Sequence, residues 1–168
     1  MVAKGKGSVV FPTRNDLPEE CRAAVIELLD ERLADAVDLQ TQMKQAHWNV
    51  KGPTFISLHE LFDKINEDVE DYVDDLAERL VQLGGVAHGT ARQAAARSHL
   101  AEYPAVRDGH QHTEAVTMAL AGFGTSIRAA IDRADEAGDK DTADLFTEIS
   151  RGVDKWLWFV EAHLHAEQ

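Results

Sequence analysis

Cysteine is nearly absent: Cys21 is the only one in 168 residues. No disulfide can close within the chain, and no thiolate cluster can hold zinc or an iron–sulfur centre. A metal here must therefore be bound by imidazole and carboxylate. Long apolar runs are missing too. The longest, Trp156–Val160, falls far short of the roughly 20 residues that cross a bilayer, so no membrane is expected as a partner. Basic residues are scarce, with 17 Lys and Arg against 30 Asp and Glu for a net charge of −13. Such a field attracts cations and repels phosphate. Sustained strand alternation, internal repeats and low-complexity tracts are also lacking. The amino end, Met1-Val2-Ala3-Lys4-Gly5-Lys6-Gly7, carries positive charge with no apolar run behind it. It does not read as a secretory signal, and the expected compartment is the cytoplasm.

What remains is helical periodicity in a chain that is 44% hydrophobic and 28% charged, the composition and size of one globular domain. Residues 1–15 lack a period and read as a mobile arm, and 16–168 as the folded domain. Asp16, Pro18, Glu19 and Glu20 form a helix-start signature. From there Leu29, Leu33, Ala36, Gln40, Met43 and His47 share one stripe to about Val50. Gly52-Pro53-Thr54 breaks this helix. Ser57-Leu58-His59-Glu60 matches a capping box, although the second helix could begin a few residues earlier, and that helix ends at Gly84-Gly85. Residues 85–105 read as a long connection with one short helix near Thr90–Arg97. A third long helix is expected over about Val106–Ala137, closed by Gly138, and a fourth over about Lys140–His165. The fold class is thus all-α: four long helices with one connection crossing the bundle, the ferritin-like arrangement.

The second helix concentrates the chemistry. His59 and Asp63 are four residues apart, and so are Asp74 and Glu78, which puts each pair on one face. With His59 at zero, Asp63 projects to about 40°, Asp74 to about 60° and Glu78 to about 100°, while the apolar stripe lies at roughly −40° to −100°. The four border the core, and His47 can join them across the short turn. Imidazole and carboxylate without thiolate suit iron, manganese or zinc. An acidic run such as Asn66–Asp75 is, taken alone, commonly a solvated face. The two pairs lie about 16 Å apart along the helix, too far to share one ion. Two copies of this helix, antiparallel across a two-fold axis, would bring His59 and Asp63 of one to Asp74 and Glu78 of the other.

At these residues the chain resembles the Dps family. His47-Trp48-Asn49-Val50-Lys51-Gly52-Pro53-Thr54-Phe55-Ile56-Ser57-Leu58-His59-Glu60-Leu61-Phe62-Asp63 is similar to its first signature, and Asp74 through Gly85 to its second. Asp141-Thr142-Ala143-Asp144 and Asp154-Lys155-Trp156-Leu157-Trp158-Phe159 resemble its last helix. The resemblance implies a homo-oligomer of twelve subunits, built from two-fold dimers into a hollow shell. It also implies iron(II) oxidation by hydrogen peroxide or dioxygen, with peroxide favoured, and storage of the iron(III) product. His47, His59 and Asp63 would come from one subunit and Asp74 and Glu78 from its partner. Trp48 matches a tryptophan that intercepts oxidising equivalents; the competing reading is a core aromatic at a helix end. Ordinary ferritins build their site from Glu-x-x-His elements, and no glutamate here precedes a histidine by three, which excludes that type.

Other signals are weaker. Asp139, Asp141 and Asp144 suit a helix start, where acids complement the dipole; the resemblance offers a pore role. Glu161, His163, His165 and Glu167 form a polar terminal turn. His88, His99, His110 and His112 have no partners at ligand spacing. Two further functions stay open. One is DNA compaction through Lys4, Lys6 and the terminal amine, with Arg14 nearer the body, against a repulsive acidic surface. The other is a plain helical interaction protein.

Overall fold

The computed structural model describes residues 11–165, and among them all regular structure is helical. The helices are α1 Glu19–Asn49, α2 Phe55–Gln82, α3 Ala91–Arg97, α4 Gly109–Ala137 and α5 Lys140–Glu161. In the four-helix bundle α1 neighbours α2 and α4, and α5 neighbours α4 and α2. Tight turns make the α1–α2 and α4–α5 reversals. Gly52 and Gly138 stand at φ +116° and +91°, a left-handed region that glycine adopts without a Cβ penalty.

The long link crosses the bundle. It begins where Gly85 packs too closely on Ile26 to admit a Cβ and ends where Gly109 lies close to the Lys51 carbonyl, so it runs alongside α1 from Ile26 to the helix end at Asn49, about 35 Å at helical rise. α1 is consequently buried on two sides. Leu29, Leu33, Ala36 and Met43 face the core, while Arg32, Asp35 and Gln42 are buried on the side toward the link. Those polar groups have partners there: Asp35 accepts from the His99 N–H at 2.7 Å, and the Gln42 amide donates to the Ala101 carbonyl at 2.9 Å. Farther down, Asp30 accepts from the His88 N–H and pairs with Arg97. Phe62, Phe123 and Phe146 fill the interior with Leu33, Met43, Ile65, Leu76 and Leu80, each contributing about 1.5–3 kcal/mol by burial.

Several boundaries differ from the sequence reading, each for a local reason. Residues 11–15, expected in the arm, are tied down, since the Phe11 N–H donates to the Gly84 carbonyl and Asn15 accepts from the Leu17 N–H; residues 1–10 lie outside the described residues. No side chain caps α1, because Asp16 precedes the Pro18 cap position by two residues. α2 starts at Phe55, so Ser57 lies inside it and its hydroxyl bonds back to the Thr54 carbonyl; the expected capping box is not there. A reach-back of that kind occurs instead at α3, where the Gln93 side chain accepts from Thr90. α4 begins at Gly109, not Val106, because the Asp108 side chain accepts from the Gln111 N–H and fixes the first turn. α5 stops at Glu161, short of His165. Val160 is its last buried apolar residue, and the chain tightens there into i to i+3 bonds.

Candidate metal centre

The five-residue turn between α1 and α2 sets the last turn of one helix against the first turns of the other. His47 therefore meets His59, with ring centroids 3.7 Å apart and planes 21° from parallel. Each Nδ1 donates to the other residue's backbone carbonyl, both at 2.8 Å. A carbonyl can only accept, so both Nδ1 atoms carry the proton and each neutral ring keeps its lone pair on Nε2. Bonds of this type orient imidazole ligands in metal sites. Phe55 packs on His59 with centroids 5.0 Å apart.

Asp63, one turn farther along α2, has Oδ1 3.9 Å from His47 Nδ1 and is engaged by the Lys44 ammonium. The hydrogen bond from Lys44, opposed by burial and helped by the neighbouring imidazoles, holds the Asp63 carboxyl below its ordinary range. Lys44 was not singled out from the sequence. Its place three residues before His47 on α1 is the signal that could have found it.

Asp74 and Glu78 are exposed, farther down the same uninterrupted helix. Because α2 has no break between Phe55 and Gln82, the two pairs keep their separation of about 16 Å. The structure thus sets His47 against His59 and, separately, near Asp63, and leaves Asp74 and Glu78 apart from them. Among the described residues of one chain, no three His, Cys, Asp or Glu side chains gather in an arrangement that could hold a metal ion. Beside Asp74, burial and the carboxylates of Glu148, Asp71 and Asp74 raise Asp75, a sign of how densely acidic this face is.

Trp48 is 68% exposed, so in the single chain it is not a core aromatic. It lines a cavity of about 700 Å³ between α1 and the link, together with Gln45, Ala94 and Tyr103. Asp139 serves the fold: it caps α5 by accepting from the Thr142 N–H and takes the Arg79 guanidinium at 2.9 and 3.0 Å. Burial pushes its carboxyl up, but the bonds from Thr142 and Arg79 outweigh that and hold it low. Asp141 and Asp144 are exposed. His88 and His99 stand against Asp30 and Asp35, and His110 stands against Glu114. His112 bonds Tyr103. His163 lines an apolar groove with Trp156, Trp158 and Phe159; Glu167, like Lys4 and Lys6, lies outside the described residues.

A ferritin-like domain model matches residues 26–168. A DNA protection during starvation protein of Agrobacterium fabrum is 46% identical over 153 residues, covering 90% of this chain and 94% of that protein. Among solved structures, DpsA14 of Streptomyces coelicolor is 34% identical and superposes with a TM-score of 0.90, covering 96% of both chains. A tetragonal form of Mycobacterium smegmatis Dps, 30% identical, gives 0.88 and covers 93% of this chain and 94% of that one.

Proposed function

Because the chain belongs to the Dps family of ferritin-like proteins, we propose that it oxidises iron(II) at centres shared by two subunits and stores the iron(III) product inside a shell of twelve copies. The observation that carries this is the reciprocal bonding of His47 and His59, which commits Nδ1 of both rings to donation and leaves Nε2 as the atom through which a neutral ring can ligate, with Asp63 close to His47. Neutral imidazole and ionised carboxylate are what iron(II) needs from a thiolate-free site. The second carboxylate pair, Asp74 and Glu78, cannot reach that ion within its own chain. A two-fold partner supplies it, giving two equivalent centres per dimer.

In this reading iron is substrate and cargo. The imidazoles hold iron(II) without adding charge, and the carboxylates favour the more highly charged iron(III), which lowers the cost of electron loss to hydrogen peroxide or dioxygen. Hydrogen peroxide is the favoured oxidant, so one reaction removes both partners of radical-generating chemistry. DNA can be protected in this way without being touched. Zinc or manganese, having similar ligand preferences, should compete for the same groups. No helix of the described residues is long and apolar enough to cross a membrane.

The test is anaerobic loading with iron(II) followed by peroxide or air. Iron(III) absorbance should rise faster than in protein-free buffer, and the product should stay in solution with the shell. Iron-edge anomalous scattering from a soaked crystal should place the ion among His47, His59 and Asp63 of one subunit and Asp74 and Glu78 of another. Oxidation and precipitation at the protein-free rate would overturn the reading. Replacing His59 and Asp63 with Ala should nearly abolish rapid oxidation in an assembled shell.

A further inference from the structure

Tyr103 and His112 form a pair that the iron chemistry leaves unused. The phenol oxygen and His112 Nδ1 lie 2.7 Å apart, at hydrogen-bond distance. His112 is 1% exposed and its Nε2 has no partner. Tyr103 makes no other side-chain hydrogen bond among the described residues, so the arrangement that orphans fewest polar groups has the hydroxyl donating to Nδ1 and the proton of the neutral ring on Nε2. Tyr103 also faces the cavity that Trp48 lines, and Trp48 directly follows the candidate ligand His47 in the chain. The only other tyrosine, Tyr72, lies instead among the carboxylates of Asp68, Glu148, Asp71 and Asp75.

A phenol gives up an electron far more readily when a base takes its proton in the same step. We propose that Tyr103 and His112 are a redox-active pair that disposes of one-electron oxidising equivalents arriving through Trp48. This rests on the iron-oxidising reading above for the source of those equivalents, a hydroxyl radical formed from iron(II) and peroxide. The radical takes one electron from the Trp48 indole and becomes hydroxide. Tyr103 returns an electron to Trp48 as its hydroxyl proton crosses to His112 Nδ1, leaving a neutral phenoxyl radical and an imidazolium. A further iron(II) reduces the phenoxyl, the proton returns from His112, and iron(III) is the product. The sum is one hydroxyl radical and one iron(II) converted to hydroxide and iron(III).

The surroundings suit each step. Burial pushes the Tyr103 phenol well up, so it does not ionise beforehand. Burial also pushes His112 down, with Asp108 opposing and Lys51 assisting. Both shifts favour a neutral ring facing an un-ionised phenol before oxidation, and the lowered basicity of His112 favours the return of the proton afterwards.

Freeze-quench electron paramagnetic resonance on shells mixed with iron(II) and peroxide tests this, with iron(III) absorbance recorded on the same samples. Wild type and Tyr72→Phe should give a tyrosyl signal, and Tyr103→Phe should lose it with little change in iron oxidation. In an iron-free arm a photogenerated one-electron oxidant replaces peroxide. The indole radical should decay into the tyrosyl radical, more slowly in D2O, and much more slowly in His112→Gln. Trp48→Phe should suppress tyrosyl formation. A purely structural hydrogen bond would show neither the isotope effect nor the tyrosyl signal. A signal that persists in Tyr103→Phe, or none in wild type while iron is oxidised normally, overturns the pair. Absent iron oxidation with tyrosyl formation intact in the iron-free arm overturns the iron reading instead.

Discussion

If every centre draws on two subunits, two inactive variants must complement one another. Variant one carries Asp74→Ala and Glu78→Ala; variant two carries His47→Ala, His59→Ala and Asp63→Ala. A dimer of either kind has two incomplete centres. A mixed dimer has one centre with all five groups and one with none, because the roughly 16 Å between the pairs on unbroken α2 prevents any exchange within a chain. Random association at equal amounts makes about half of the two-fold interfaces mixed, and each restores one of its two centres, so about a quarter of wild-type centres return. Across mixing ratios the recovered rate should follow the product of the two fractions, peaking at equality. The assay is initial iron(III) absorbance in reassembled shells, with mixing verified by native mass spectrometry. No recovery in shells shown to hold mixed interfaces would falsify the shared centre and return the search to a site within one bundle.

Other outcomes test neighbouring parts of the structure. Lys44→Met frees Asp63 of its ammonium partner; for a pair this exposed, worth about 0.2–1 kcal/mol, anaerobic titration calorimetry should show iron(II) binding tighter by at most about fivefold, and weaker binding would refute the competition. Asp139→Asn leaves the partly buried Arg79 without its charged partner and should cost about 1–3 kcal/mol at neutral pH, read from urea unfolding. The Asp139 pKa is lowered in the folded chain, so its contribution is present above the unfolded value near ~3.9 and is lost as pH falls through the folded one; the gap between variant and wild type should close below about pH 4. A Cβ at Gly152 would fall on the Tyr72 hydroxyl, so Gly152→Ala should cost about 1–3 kcal/mol, and adding Tyr72→Phe should recover part of it. Deleting residues 2–7 should leave oxidation rate and shell size unchanged, and a low-salt gel shift that vanishes on the deletion would assign DNA binding to Lys4 and Lys6.

Features set by spacing along one helix were legible from the sequence. The two pairs on α2 share a face because residues four apart must, and their separation follows from helical rise alone. Gly138 closes α4 because few other residues accept a positive φ, and the crossing link follows from a stretch too long for a turn and too irregular for a fifth long helix. The meeting of His47 with His59 was legible for a related reason: five residues between two helices permit only an antiparallel return, so their ends must touch.

Pairings between distant positions were not legible, because a charge in the sequence does not name its partner. Asp30, Asp35 and Asp38 look like an ordinary solvated face of α1, yet they face the link, where Asp30 takes the His88 N–H and Arg97, Asp35 takes the His99 N–H, and Asp38 takes the Ser98 hydroxyl. Only the path of the link turns that face inward, and that path is itself fixed by those bonds. The same circularity hid Tyr103 and His112, nine residues apart across a helix start. It hid Lys44 less completely, since Lys44 and His47 lie three apart on one helix, near Asp63. Trp48 marks where one chain stops being informative by either route. Its spacing follows the α1 helix, its 68% exposure belongs to the isolated subunit, and its environment in a shell is set by whatever surface the partner brings.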